Sequence, residues 1–121
     1  SNDYRASYSN FGSCLDVFAP GSAITSTWIG ANSTNTISGT SMASPSVAGV
    51  VARFLSNNPS LTPAQVSNSI KASATKNVVI NPGVNSLNQL VFLDVTPDTT
   101  TVTPVDSTPT FKKVIPRGKK R

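Results

Sequence analysis

Gly39-Thr40-Ser41-Met42-Ala43-Ser44-Pro45-Ser46-Val47-Ala48-Gly49 is the stretch whose reading decides the fold. Gly39 permits a tight turn and the close approach of another segment, and Thr40 and Ser41 carry the short hydroxyl side chains favoured where a helix begins. Pro45 is expected in the first turn, where backbone N–H groups lack intrahelical partners and a missing donor costs nothing. A helix is therefore expected to start near Ser41. It continues through Val47, Ala48, Val50, Val51, Ala52, Phe54 and Leu55, apolar on nearly every side with Arg53 as the lone charge, which is the pattern of a helix buried inside a larger protein.

A serine at that point stands where free N–H groups and the positive end of the helix dipole converge. That arrangement stabilises the oxyanion formed when a serine attacks a carbonyl. The same residue types also suit plain capping of a core helix, so Gly39-Thr40-Ser41 alone leaves both readings open. The longer run closely resembles the serine segment of the subtilisin-like serine proteases, and its surroundings resemble the proteinase K branch. Tyr8-Ser9-Asn10-Phe11-Gly12-Ser13, Leu15-Asp16-Val17-Phe18-Ala19-Pro20-Gly21 and Ile24 to Gly30 occur in family order and at family-like spacing. The resemblance covers residues 1 to 94, with Gly83-Val84-Asn85-Ser86-Leu87 similar to the family's closing segment.

The resemblance implies an α/β fold: the C-terminal part of a subtilisin-like domain, with a parallel sheet flanked by helices. It also implies a serine-type endopeptidase working through an acyl-enzyme, with Ser41 as catalytic nucleophile. The Ser41 backbone N–H would be one oxyanion donor and Thr40 a supporting hydroxyl. Ser46 departs from the family pattern, which usually has histidine after the proline, a residue that is not the general base.

The 121 residues contain no histidine. A serine hydroxyl is a weak nucleophile at neutral pH and needs an adjacent base, most often an imidazole oriented by a carboxylate. In subtilisin these groups follow the chain order Asp, His, Ser. The resemblance therefore implies that the base, its carboxylate, the side-chain oxyanion donor and the pocket walls are contributed from upstream in the same domain. On that reading the isolated chain is expected to be inactive and not to fold cooperatively, since its apolar helix and strands lack most of their sheet. The alternative is a non-catalytic truncated remnant or a protein-interaction module. Lys71 and Lys76 lie beyond the first helix at a spacing that aims neither at Ser41, and Asp3, Asp16, Asp94, Asp98 and Asp106 form no paired acid–base arrangement.

Asp16 is the carboxylate to weigh as a metal ligand. Between Leu15 and Val17-Phe18 it reads as part of a short buried strand, where it needs a partner: backbone amides or a calcium ion, which takes hard oxygen ligands. The resemblance implies calcium at this position, with the remaining protein ligands upstream. No cofactor is required for the chemistry itself. Cys14, the lone cysteine, reads either as a small buried hydrophobe or, by the resemblance, as half of a disulfide with a cysteine further upstream. Asn32-Ser33-Thr34 is a glycosylation sequon. Together with the resemblance these features point to an extracellular, secreted protein acting on protein or peptide substrates.

The remaining pattern fits an α/β chain. Val17 to Ala19 and Ile24 to Ile29 read as short strands broken by Pro20-Gly21, and the first helix runs to about Asn57. Thr62-Pro63 opens a second, surface helix with Val66, Ile70 and Ala74 on one face. Residues 95 to 110 read as a linker: seven threonines and three prolines fall between 96 and 110, too little apolar surface to offset chain entropy. Residues 111 to 121 form a basic tail, so the whole terminal segment is expected to be disordered. The net charge of +5 divides into +1 over residues 1 to 94 (four basic, three acidic) and +4 over 95 to 121 (six basic, two acidic). The alkaline balance thus belongs to the tail and gives no reason to expect a nucleic-acid-binding core. No run is long and apolar enough to span a membrane.

Overall fold

The computed structural model describes residues 2 to 93; the expected linker and basic tail lie outside the described residues. The element order is β1 (Ile24–Thr27), β2 (Thr34–Ile37), α1 (Thr40–Asn57), α2 (Pro63–Ser73), β3 (Thr75–Lys76) and β4 (Gln89–Leu90). No helix among the described residues is long and apolar enough to cross a membrane.

Both ladders are antiparallel. β1 pairs with β2 from Ile24↔Ile37 to Thr27↔Thr34, and β3 pairs with β4 at Thr75↔Leu90 and Lys76↔Gln89. Parallel contact among the described residues is confined to two single bridges, Tyr4↔Ile80 and Phe18↔Leu90. The segment read as a strand over 24 to 29 is the first arm of a hairpin, made so by the loop that follows β1. Gly30 (φ 110) and Asn32 (φ 54) reverse the chain, and Trp28 N–H closes the turn on the Ser33 carbonyl at 2.9 Å. Parallel strands would need a much longer crossover there. The strand expected at Val17 to Ala19 reduces to Phe18, which donates to Gln89 O and accepts from Val91 N–H, each at 2.8 Å.

α1 ends at Asn57, where Asn58 returns its N–H to Phe54 O. Its expected burial is only partial: Val50 is buried, Val47, Val51, Phe54 and Leu55 are half-buried, and Ser44, Pro45, Ala48, Gly49 and Ala52 face solvent. The described residues cover one side of the helix and supply nothing for the other. α2 follows its sequence pattern closely. Thr62 caps it in a reciprocal box with Gln65 (Thr62 N–H to Oε1 2.8 Å, Gln65 N–H to Thr62 Oγ1 3.4 Å), and Pro63 opens it. Val66 and Ile70 meet Val50 at the centre of the core, with Val17, Leu55, Leu61 and Val91 packed around them. Among the described residues six apolar ones are buried, Phe18, Val50, Val66, Ile70, Ala74 and Val79, and none of their side chains is fully enclosed.

The closing segment is held by side-chain mimicry of a strand. Asn88 Oδ1 accepts Val79 N–H at 2.9 Å while Asn88 Nδ2 donates to Val79 O at 2.8 Å. Gly83 (φ 91) lies against the Phe11 ring so closely that a Cβ would stand 2.7 Å from it.

Candidate active site

The β1–β2 hairpin delivers the serine turn. Beyond the Ile24↔Ile37 pair, Ala23 N–H donates to Ser38 Oγ at 2.8 Å and Gly39 N–H donates to Gly21 O at 2.8 Å. Tyr8 buttresses the outer segment, its hydroxyl lying 3.2 Å from Gly21 O and 2.5 Å from Ser22 Oγ. Gly21 itself has no room for a side chain: a Cβ there would meet Gly39 O at 2.8 Å and Ala43 Cβ at 3.2 Å. In the sequence Pro20-Gly21 reads only as a strand breaker. Nothing in the local pattern reveals that Gly21 touches a residue eighteen positions on.

Gly39 is the N-cap of α1, with extended backbone, and its carbonyl accepts Met42 N–H at 3.0 Å. Because the cap is a glycine, neither Thr40 nor Ser41 caps the helix. Both stand inside its first turn, exposed, and neither hydroxyl is hydrogen-bonded to another described residue. Plain capping therefore does not account for them. Their backbone N–H groups belong to the first turn, where no intrahelical acceptor exists. The result is an exposed hydroxyl beside free N–H donors at the positive end of an 18-residue helix.

Pro45 departs from its expected place. The helix begins at Thr40, so Pro45 is its sixth residue and lies beyond the first turn. Its missing N–H would have bonded the carbonyl four residues back, which is that of Ser41. Ser46, in the position usually held by histidine, turns its hydroxyl back onto Met42 O at 3.2 Å.

No imidazole can serve Ser41 from within these residues, and the two lysines among the described residues are engaged elsewhere. Lys71 Nζ lies 3.3 Å from Asp16 Oδ1, and Lys76 Nζ donates to the Lys71 carbonyl. A cleft of about 680 Å³ is lined by Gly39, Thr40 and Ala43 but not by Ser41.

The other candidate residues are dispersed. Asp16 is not on a buried strand: its side chain is 68% exposed and already faces the Lys71 ammonium. One carboxylate stands there beside a cation, and no group of three metal-ligating side chains occurs among the described residues. Cys14 is exposed, which removes the buried-hydrophobe reading. Asn32 sits exposed in the β1–β2 turn.

A family model, Subtilase family, matches residues 1–91. The chain belongs to the subtilase family. Subtilases are serine peptidases, and the relatives agree. An extracellular serine proteinase of Thermus sp. (strain Rt41A) is 54% identical over 93 residues, covering 76% of this chain and 23% of the relative. An alkaline proteinase of Hapsidospora chrysogena is 52% identical over 93 residues, again covering 76% and 23%. The crystal structure of a cold adapted subtilisin-like serine proteinase superposes with a TM-score of 0.71 at 45% identity, covering 77% of this chain and 34% of that one. The α/β subtilisin-like fold is thus shared, and this subtilase chain spans about a quarter of the length of the curated relatives it matches.

Proposed function

We propose that this chain carries the nucleophile of a secreted serine endopeptidase, with residues 1–94 forming the C-terminal portion of the peptidase domain, 95–110 a linker and 111–121 a basic tail. Ser41 Oγ bonds to the scissile carbonyl carbon while its proton passes to an imidazole base supplied from outside these residues. The Ser41 N–H donates to the oxyanion, with Thr40 as a supporting hydroxyl. Collapse of the tetrahedral intermediate expels the amine, which takes the proton from the base. Water then hydrolyses the acyl-enzyme and frees Ser41.

The observation that carries this reading is the exposed, uncapped Ser41 in the first turn of α1, within the family's serine segment. Protein or peptide substrates follow from the chemistry. Secretion is supported by the extracellular naming of a relative and is compatible with an exposed Asn32 sequon and an exposed Cys14 free to pair with another cysteine. Peptide hydrolysis by the protein as expressed from its own gene tests the proposal. Ser41→Ala should lower kcat by about 10⁶-fold, the scale seen on removing subtilisin's nucleophile. Hydrolysis unchanged in Ser41→Ala would overturn the role of Ser41, and no hydrolysis by the wild type would favour the non-catalytic remnant or interaction module.

A further inference from the structure

Asn32-Ser33-Thr34, the one Asn-x-Ser/Thr triplet of the chain, stands at the end of the β1–β2 hairpin away from the serine turn. Trp28 N–H donates to Ser33 O at 2.9 Å and closes the loop from Ile29 to Asn32 beyond the Thr27↔Thr34 pair. Asn32 occupies the left-handed region (φ 54), which Asn tolerates better than most residues. Asn32 and Thr34 are exposed, and neither side chain is hydrogen-bonded to another described residue. β2 places at least about 13 Å of extended chain between Asn32 and Ser38.

The same loop carries an apolar tip. Among the described residues Ile29 is the most exposed large apolar side chain, at 85%, and Trp28 beside it is 47% exposed. Exposed loop tips are preferred sites of proteolytic nicking, and a bulky hydrophilic group attached next to one keeps other chains from reaching it.

We propose that Asn32 carries an N-linked oligosaccharide that covers the Trp28–Ile29 tip and guards it against cleavage. The Asn32 Nδ2 nitrogen bonds to the anomeric carbon of the first N-acetylhexosamine of a lipid-pyrophosphate-linked oligosaccharide. The bond from that carbon to the pyrophosphate oxygen breaks, the lipid pyrophosphate leaves with the electron pair, and one amide hydrogen leaves as a proton. Thr34 supplies the hydroxyl that the transferase requires at the third position, and Ser33 serves as the variable middle residue. This inference rests on the secreted reading above, because donor and transferase meet a chain on its way out of the cell.

The test is mass spectrometry of the protein as expressed from its own gene, digested before and after peptide N-glycosidase treatment in heavy-oxygen water. The peptide holding residue 32 should carry hexosamine and convert to one with heavy-oxygen-labelled Asp at position 32. Asn32→Asp, which keeps a residue tolerant of positive φ, and Thr34→Val, which keeps the branched strand-forming shape, should each lose the sugar completely, while Ser33→Ala keeps it. In a Ser41→Ala background, which removes self-digestion, chymotrypsin should cut after Trp28 several-fold faster in Asn32→Asp than in the glycosylated protein. An unmodified Asn32 in the wild type, or equal cutting after Trp28 with and without the sugar, would overturn the proposal. Hydrolysis of a short peptide by secreted protein with Asn32 bare would do so and leave the catalytic reading intact; a glycosylated Asn32 on a protein without hydrolytic activity would do the reverse.

Discussion

Gly39 donates its N–H to the carbonyl of Gly21 at 2.8 Å, and the Gly39 carbonyl stands 2.8 Å from where a Gly21 side chain would begin. The two glycines fix the turn from which Ser41 projects. Gly39 needs its freedom less for its own dihedrals, which are extended, than to let Gly21 approach.

Gly21→Ala should therefore act on catalysis at a distance. The added methyl has to push the Gly39 carbonyl, which also holds Met42 N–H, and so shift the first turn of α1. A displacement approaching 1 Å costs on the order of 10²-fold in rate. Steady-state kinetics of the expressed protein should show that loss in kcat with KM little changed. Wild-type kcat would show that the contact is dispensable.

The capping box of α2 is a stability feature with no part in the chemistry. Thr62→Ala removes the acceptor of Gln65 N–H and should cost about 1 kcal/mol, read as a lowered denaturant midpoint with unchanged kcat.

Asn88→Ala should cost more. The amide satisfies both backbone groups of Val79, a buried residue, and its loss leaves a donor and an acceptor without partners. A penalty of about 1–3 kcal/mol per unsatisfied buried group is expected, together with faster hydrogen exchange at Val79. Unaltered exchange at Val79 would rule out this role for the amide.

The helices are the most legible part of the sequence. Thr62, Pro63 and the Val66–Ile70–Ala74 face define α2 through local chemistry, and Asn57-Asn58-Pro59 ends α1 for the same reason. Ser41 is legible from the family-like run around it. What the sequence hides depends on partners distant along the chain. Gly21 reveals its role only when folded against Gly39, Asp16 only against Lys71, and Asn88 only against Val79. For Pro45 a small shift in the helix start is enough to move it from a position where its missing donor is harmless to one that removes a bond from the Ser41 carbonyl. The β1–β2 hairpin is hidden because its six-residue loop gives a weaker signal than a two-residue turn.

The mechanism proposed for Ser41 depends on a base from outside these 121 residues. Labelling by a fluorophosphonate probe tests that dependence most directly, applied to residues 1–121 alone and to the same residues joined to the histidine-bearing part of a subtilase domain. The joined protein should be labelled at Ser41, Ser41→Ala should abolish the label, and the isolated chain should stay unlabelled. Labelling of the isolated chain that disappears in Ser41→Ala, or a joined protein whose Ser41 stays unlabelled, would contradict the mechanism.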